Sequence, residues 1–305
     1  MLSNEFERYI ELRRLMGARL VRMRKSLLSY ARFAEVRGEH HIRAETAVEW
    51  ARTAPTPGAR YEWLSRLALA AKFLRAEDPV HEIPPVHLFA IPRAKFMPYI
   101  YTTEELTRIL DAAQEIPWRT RSAVNKQVYV MLFGLIAATG LRVSEALKLC
   151  LDDILPGGIL RIRESKNGKS RLVPLHPGVQ DKIDAFLILR RNVAVESNRL
   201  FLSVKGKALT YPTASGAFHS IIRRANVAPE RARMPRIHDL RHTFATRVLE
   251  QGNADRNSIA RRTVALMTYM GHENPRYTYW YLQATPELMT DIAAAAETLI
   301  VGDGQ

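Results

Sequence analysis

The sequence predicts a mainly α-helical protein with one small β-sheet, organised as an N-terminal helical domain followed by a C-terminal α+β domain. Three observations carry that expectation. The chain has 305 residues, more than the roughly 100–200 usual for one domain. Pro79, Pro84, Pro85, Pro92 and Pro98 mark residues 79–98 as an extended linker between domains at 1–78 and 99–305. Strand-like alternation is confined to the flanks of Ser165-Lys166-Asn167-Gly168, where Asn-Gly is a strong hairpin signal; elsewhere the apolar residues recur at helical spacing.

The elements follow in order. Helices are expected over 3–16, 18–37, 43–53 and 58–77, with Pro55, Pro57 and Gly58 breaking the last pair. In the second, Leu20, Met23, Leu27, Ala31 and Ala34 form an apolar stripe, and Arg22, Lys25, Ser29 and Arg32 fall on the opposite side. Beyond the linker, Thr102-Thr103-Glu104-Glu105 is an N-cap with an acidic first turn, opening a helix to about Ala113. A buried helix over about 122–138 stops near Gly140. Strands at 159–163 and 171–175 flank the hairpin turn. Helices are then expected at about 177–191, 212–225, 238–251, 255–269, 275–282 and 286–300.

Forty-five Lys and Arg against 31 Asp and Glu give a net charge of +14, which points to a polyanionic partner. A hydrophobic content of 47% places that charge on a folded protein and excludes a disordered basic tail. The single cysteine, Cys150, excludes a disulfide framework or thiolate cluster within one chain, and its apolar neighbours predict a core position. Glu5, Glu7 and Arg8 leave no room for a secretory h-region, and the longest uncharged apolar run, 128–141, is too short to span a bilayer. The expectation is a cytoplasmic, nucleoid-associated protein without membrane contact.

The chemistry concentrates in residues 237–282. In I-H-D-L-R-H-T-F-A-T, His238 and Arg241 are three apart and share a helix face, with His242 one turn beyond His238. Histidines at i and i+4 have the spacing of a zincin site. That reading needs a third ligand and leaves the permanent cation of Arg241 facing the metal, so it fits badly. An anion site fits better: a guanidinium forks onto phosphate oxygens, an imidazole adds a donor, and a nearby phenol supplies a nucleophile. Tyr277 and Tyr281 lie one turn apart on one face, so geometry alone leaves both as nucleophile candidates.

Three blocks carry a resemblance. Residues 237–246 precede Gly271-His272, and Tyr281 follows His272 by nine positions; A-T-G-L-R-V-S-E-A-L-K-L spans 138–149; E-S-K-N-G-K-S-R-L-V-P-L spans 164–175. Together, and in this order, they resemble the tyrosine recombinases, the phage integrase and Xer-type DNA strand-transferring enzymes, over about Tyr101 to Leu282. The resemblance implies a helical core-binding domain ahead of a catalytic domain, acting as a site-specific recombinase without cofactor, metal or ATP. It implies Arg142, Arg241 and His272 on the phosphate oxygens, Lys166 as the acid for the leaving 5′-oxygen, His238 on the tyrosine proton and Tyr281 as nucleophile. Arg22, Lys25, Arg93 and Lys95 become expected backbone contacts on double-stranded DNA. The expected partners are recombination sites, a homotetramer joined through the C-terminal helix, and accessory DNA-bending or partner recombinase proteins. Two alternatives share the fold: a type IB topoisomerase-like enzyme relaxing DNA as a monomer, and a DNA-binding protein without activity.

Overall fold

The computed structural model describes residues 1–18, 20–89, 97–115, 123–163, 170–192, 197–231, 233–250 and 256–271. The chain separates into two compact units, Met1–Phe96 and Met97–Gln305.

The first unit is helical. It comprises α1 (Leu2–Leu15), α2 (Val21–Glu35), α3 (Ala44–Arg52) and α4 (Pro57–Glu77). Phe6, Tyr9 and Ile10 of α1 meet Leu27, Tyr30 and Ala31 of α2 in a core closed by Trp50 of α3 and by Leu64, Leu67 and Leu74 of α4. Trp50 stacks on Trp63 at 5.0 Å and meets Tyr30 edge-on at 5.4 Å, and its indole N–H donates to Ser29 Oγ at 3.3 Å. The apolar stripe of α2 is buried from Met23 to Ala34, and Arg22, Lys25, Ser29 and Arg32 are exposed. α4 begins one residue before its expected start because Thr56 Oγ1 accepts from Ala59 N–H and Pro57 occupies the first turn, where its missing donor costs nothing.

Part of the stretch expected as an extended linker belongs to this unit. His81 is buried and its Nδ1 accepts from Ile42 N–H at 3.2 Å, while Glu82 caps α3 by accepting from Ala44 N–H at 2.7 Å. A 3-10 turn follows at Val86–Phe89, and Phe89 packs on the core. Prolines exclude α-helix here, but they leave the intervening side chains able to pack. Arg93 and Lys95 lie outside the described residues.

The second unit is built around α6 (Ala123–Thr139), which α5 (Thr103–Glu115), α8 (Pro177–Arg191) and α10 (Ile237–Glu250) surround. Val128, Leu132, Phe133, Leu135 and Ile136 of α6 are all buried, as expected of a buried helix over about 122–138. The sheet is antiparallel in the order β1 (Ile154–Leu155), β2 (Ile159–Ile162), β3 (Arg171–Pro174), with Leu160 opposite Val173 and Ile162 opposite Arg171. α7 (Val143–Ala146), α9 (Tyr211–Arg224) and α11 (Arg256–Met270) are the unit's other α-helices among the described residues. The sequence reading has neither α7 nor β1, which are too short to show a period. Cys150, expected in the core, is only half-buried; its backbone forms an isolated antiparallel bridge with Arg199. No helix among the described residues is long and apolar enough to cross a membrane. The helices expected after Gly271 lie outside the described residues.

Candidate active site

α10 brings the first site residues together. Asp239 accepts from Arg236 N–H at 2.8 Å and from Arg236 Nη2 at 3.2 Å. The acidic residue of the His-Asp-Leu-Arg-His run therefore caps its own helix, where a carboxylate opposes the positive end of the dipole. Thr243 accepts from Tyr101 N–H at 3.0 Å, and Tyr101 Oη donates to Arg236 O at 3.2 Å, tying the start of the unit to this helix. His238 and His242 meet edge-on with ring centroids 4.8 Å apart.

Arg241 is 1% exposed. Its Nη1 donates to Gly140 O at 2.5 Å and its Nη2 to Met270 O at 3.0 Å. These two carbonyls orient the guanidinium. Gly140 makes the first contact available: its φ of +61° turns the chain out of α6, and a Cβ there would lie 2.4 Å from Phe244 Cδ1. Gly140→Ala is expected to lower stability by about 2–4 kcal/mol, the sum of a left-handed backbone and an overpacked ring, read as a fall in the urea midpoint at unchanged slope.

Arg142 stands immediately before α7. Its Nη2 donates to Gly271 O at 3.1 Å, its Nη1 to Glu145 Oε1 at 2.7 Å, and its backbone N–H to Glu145 Oε2 at 3.0 Å. The same carboxylate receives Arg171 of β3 in a fork, at 3.1 Å to Oε1 and 2.9 Å to Oε2. Burial works to raise the Glu145 carboxyl; the Arg171 fork and the contacts with Arg142 outweigh it and hold the group down to about 2. Glu145 is thus an anion in the folded protein and braces two arginines at once.

Burial and the neighbouring cations of Arg241, Arg236 and Arg142, in that order, push His238 down to about 4. Guanidiniums this close to the ring favour an anion beside it. Between pH 6.5 and 4 the unfolded chain binds a proton at His238 that the folded chain refuses. The His238 ring is nevertheless exposed at its surface, so solvent screens much of this effect: its contribution to stability is present above pH 6.5 and is lost as the pH drops toward 4, by no more than about 1 kcal/mol. His238→Gln should flatten that part of the stability–pH curve by a similar amount, as measured by denaturation at pH 7 and pH 4.5.

Of the expected site residues, the structure brings Arg142, His238 and Arg241 together. Lys166, His272 and Tyr281 lie outside the described residues, although Gly271, bonded to His272 along the chain, is held by Arg142. Arg22 and Lys25 are exposed on α2. The sequence reading does not single out Arg171. A signal was present: period-two alternation sets Arg171 on the face of buried Val173, where a cation needs a fixed partner.

The pattern of the phage integrase family matches residues 100–287. The chain is 35% identical to y4rB of Sinorhizobium fredii, an integrase/recombinase by name, over 93% of each chain. It is 28% identical to the tyrosine recombinase XerD of Halalkalibacterium halodurans, over 85% of this chain and 83% of that one. Among solved structures it shares the fold of the Tn1549 transposon integrase in complex with a circular-intermediate DNA, with a TM-score of 0.67 at 18% identity over 98% of this chain and 99% of the other. The XerH site-specific recombinase bound to a palindromic difH substrate matches with a TM-score of 0.63 at 20% identity, over 90% and 78%.

Proposed function

Because the chain belongs to the phage integrase family, the tyrosine recombinases, we propose that it is a site-specific DNA recombinase acting through Tyr281. Tyr281 Oη attacks a backbone phosphorus, the bond from phosphorus to the 5′-oxygen breaks, and a 3′-phosphotyrosyl link forms. Attack of another 5′-hydroxyl on that link rejoins the strand and frees the phenol. The phosphodiester energy is stored throughout, so neither ATP nor a metal is needed.

Negative charge builds on the non-bridging oxygens as the fifth bond forms, and donors fixed in advance around them lower the barrier most. Arg142 and Arg241 fill that role, with His272 adding a donor. The observation that carries this reading is the convergence of Arg241 and Arg142 on successive carbonyls, Met270 O and Gly271 O, immediately before His272. His238 is neutral in the free protein and so can take the phenol proton. A phosphate seated beside the guanidiniums offsets their charge and makes that imidazole a stronger base at the moment it is required. Lys166 delivers a proton to the departing 5′-oxygen.

The N-terminal helices serve as the DNA core-binding domain, with Arg22 and Lys25 on backbone phosphates and Arg93 and Lys95 continuing the contact along the linker. A homotetramer pairs two DNA sites, with residues 286–300 of one subunit docking on the next, and accessory DNA-bending proteins assist where a site demands them.

The test is a covalent adduct. A nicked duplex, selected from a random-sequence library by retention on the wild-type protein, should yield a protein–DNA species that survives denaturant, with the tyrosine on the 3′-phosphate. The yield should be unchanged in EDTA. Failure to form the adduct on any retained duplex rejects the reading, and loss of the adduct on chelation restores the metal alternative.

A further inference from the structure

Three guanidiniums, from three different elements, grip three successive carbonyls at the end of α11. Arg171 Nε donates to Tyr269 O at 2.9 Å, Arg241 Nη2 to Met270 O at 3.0 Å and Arg142 Nη2 to Gly271 O at 3.1 Å. A helix leaves its last carbonyls without intrahelical donors, and cations there also oppose the negative end of the dipole. Two members of this collar are already assigned to the phosphate; the third is not.

We propose that Arg171 is a positioning residue for strand cleavage, acting through Glu145 on Arg142 and through the α11 terminus on Gly271. This rests on the recombinase reading above. The Arg171 side chain is mostly buried and engages both sides of the site. Its fork onto Glu145 fixes the carboxylate whose Oε1 also receives Arg142 Nη1, so the arginine aimed at the phosphate is held by a chain of charge-assisted bonds running from β3. On the other side, Nε holds Tyr269 O, and the guanidinium lies against Gly271: a Cβ on Gly271 would meet Arg171 Nη1 at 3.1 Å and Cζ at 3.2 Å. The Gly271 φ of +66° is the turn that carries the chain out of α11 beneath that guanidinium. Tyr269 Oη donates back to Pro174 O at 3.1 Å, so β3 and α11 are laced by two bonds in opposite directions.

Lysine cannot reproduce this arrangement. A single ammonium presents no planar fork to both Glu145 oxygens while also reaching Tyr269 O. Alanine leaves Glu145 buried with one partner instead of two, and the released carboxylate then draws Arg142 out of alignment.

A positioning role makes a specific kinetic demand. If Arg171 serves the charge-stabilising function of Arg142, its loss should matter in proportion to the negative charge on the scissile phosphate. Replacing one non-bridging oxygen by methyl removes that charge and leaves the leaving group unchanged. Single-turnover cleavage of a nicked duplex, selected on the wild-type protein, would be measured with a phosphodiester and with a methylphosphonate at the scissile position. Arg171→Ala should be slower than wild type by about 100-fold on the phosphodiester, the scale of a lost or misaligned donor, and by less than about 5-fold on the methylphosphonate. Arg171→Lys, which preserves charge and fills the space, should show the same bias at about 10-fold on the phosphodiester and carries the test alone if the alanine variant does not fold. In an Arg142→Ala background, Arg171→Ala should add less than about 3-fold on the phosphodiester, where alone it costs about 100-fold, since two residues acting through one contact are not additive. Equal defects on the two substrates, or full additivity with Arg142→Ala, would show that Arg171 only supports the fold. A wild-type protein that forms no adduct rejects the recombinase reading itself, a result separable from either.

Discussion

Tyr281→Phe is expected to abolish the covalent adduct, lowering strand cleavage by on the order of 10⁴-fold or more, while DNA binding is retained. Loss of a nucleophile cannot be shared among neighbours: Tyr277 and Tyr279 stand at other offsets from His272, so Tyr277→Phe and Tyr279→Phe should keep the adduct. The contrast matters because Tyr277 and Tyr281 are four positions apart, so helical spacing alone does not separate them as candidates. Denaturing gels read the outcome directly, and adduct formation by the Tyr281→Phe protein would move the nucleophile elsewhere.

The second large effect concerns Lys166. The 5′-alkoxide is a strong base, and a proton supplied as the bond breaks is worth about 10²- to 10⁴-fold. Lys166→Ala should therefore cleave ordinary DNA slower by that factor. A substrate with sulfur at the bridging 5′ position has a far better leaving group and should be cleaved by the same variant nearly as fast as by wild type. An equal defect on oxygen and sulfur substrates would assign Lys166 to phosphate binding and pass the acid role to another group, with Lys169, three positions on in the sequence, next in line.

Long periodic elements were legible because apolar spacing reports burial. The stripe of α2, the apolar run of α6 from Val128 onward and the two short strands that flank residues 164–169 each have a local cause that can be read from a few residues. α7 and β1 have no such cause: four residues cannot display a 3.6-residue period, nor two an alternation. The packing of His81, Glu82 and Phe89 was hidden because proline content reports backbone preference and not side-chain burial. At the site, Arg142, His238 and Arg241 were legible through motif spacing. Arg171 was not, because its significance lies in partners 26 and 98 positions away, on Glu145 and Tyr269. Sequence shows which residues carry charge; only the fold shows which of them share a carboxylate.

The long reach of these contacts also sets when the protein acquires its chemistry. Arg241 meets Gly140 across 101 positions, Tyr101 meets Thr243 across 142, and Arg142 finds its carbonyl on Gly271 across 129. Closures of that length are slow and come after local structure. During synthesis the helical unit, whose core lies entirely within its own residues, can settle first. A nascent chain halted between the end of the helical unit and residue 271 therefore lacks the carbonyls of Met270 and Gly271 that Arg241 and Arg142 hold. The collar that Arg142, Arg171 and Arg241 form on the carbonyls of residues 269–271 therefore closes only after those three residues have been made, long after the helical unit has left the ribosome.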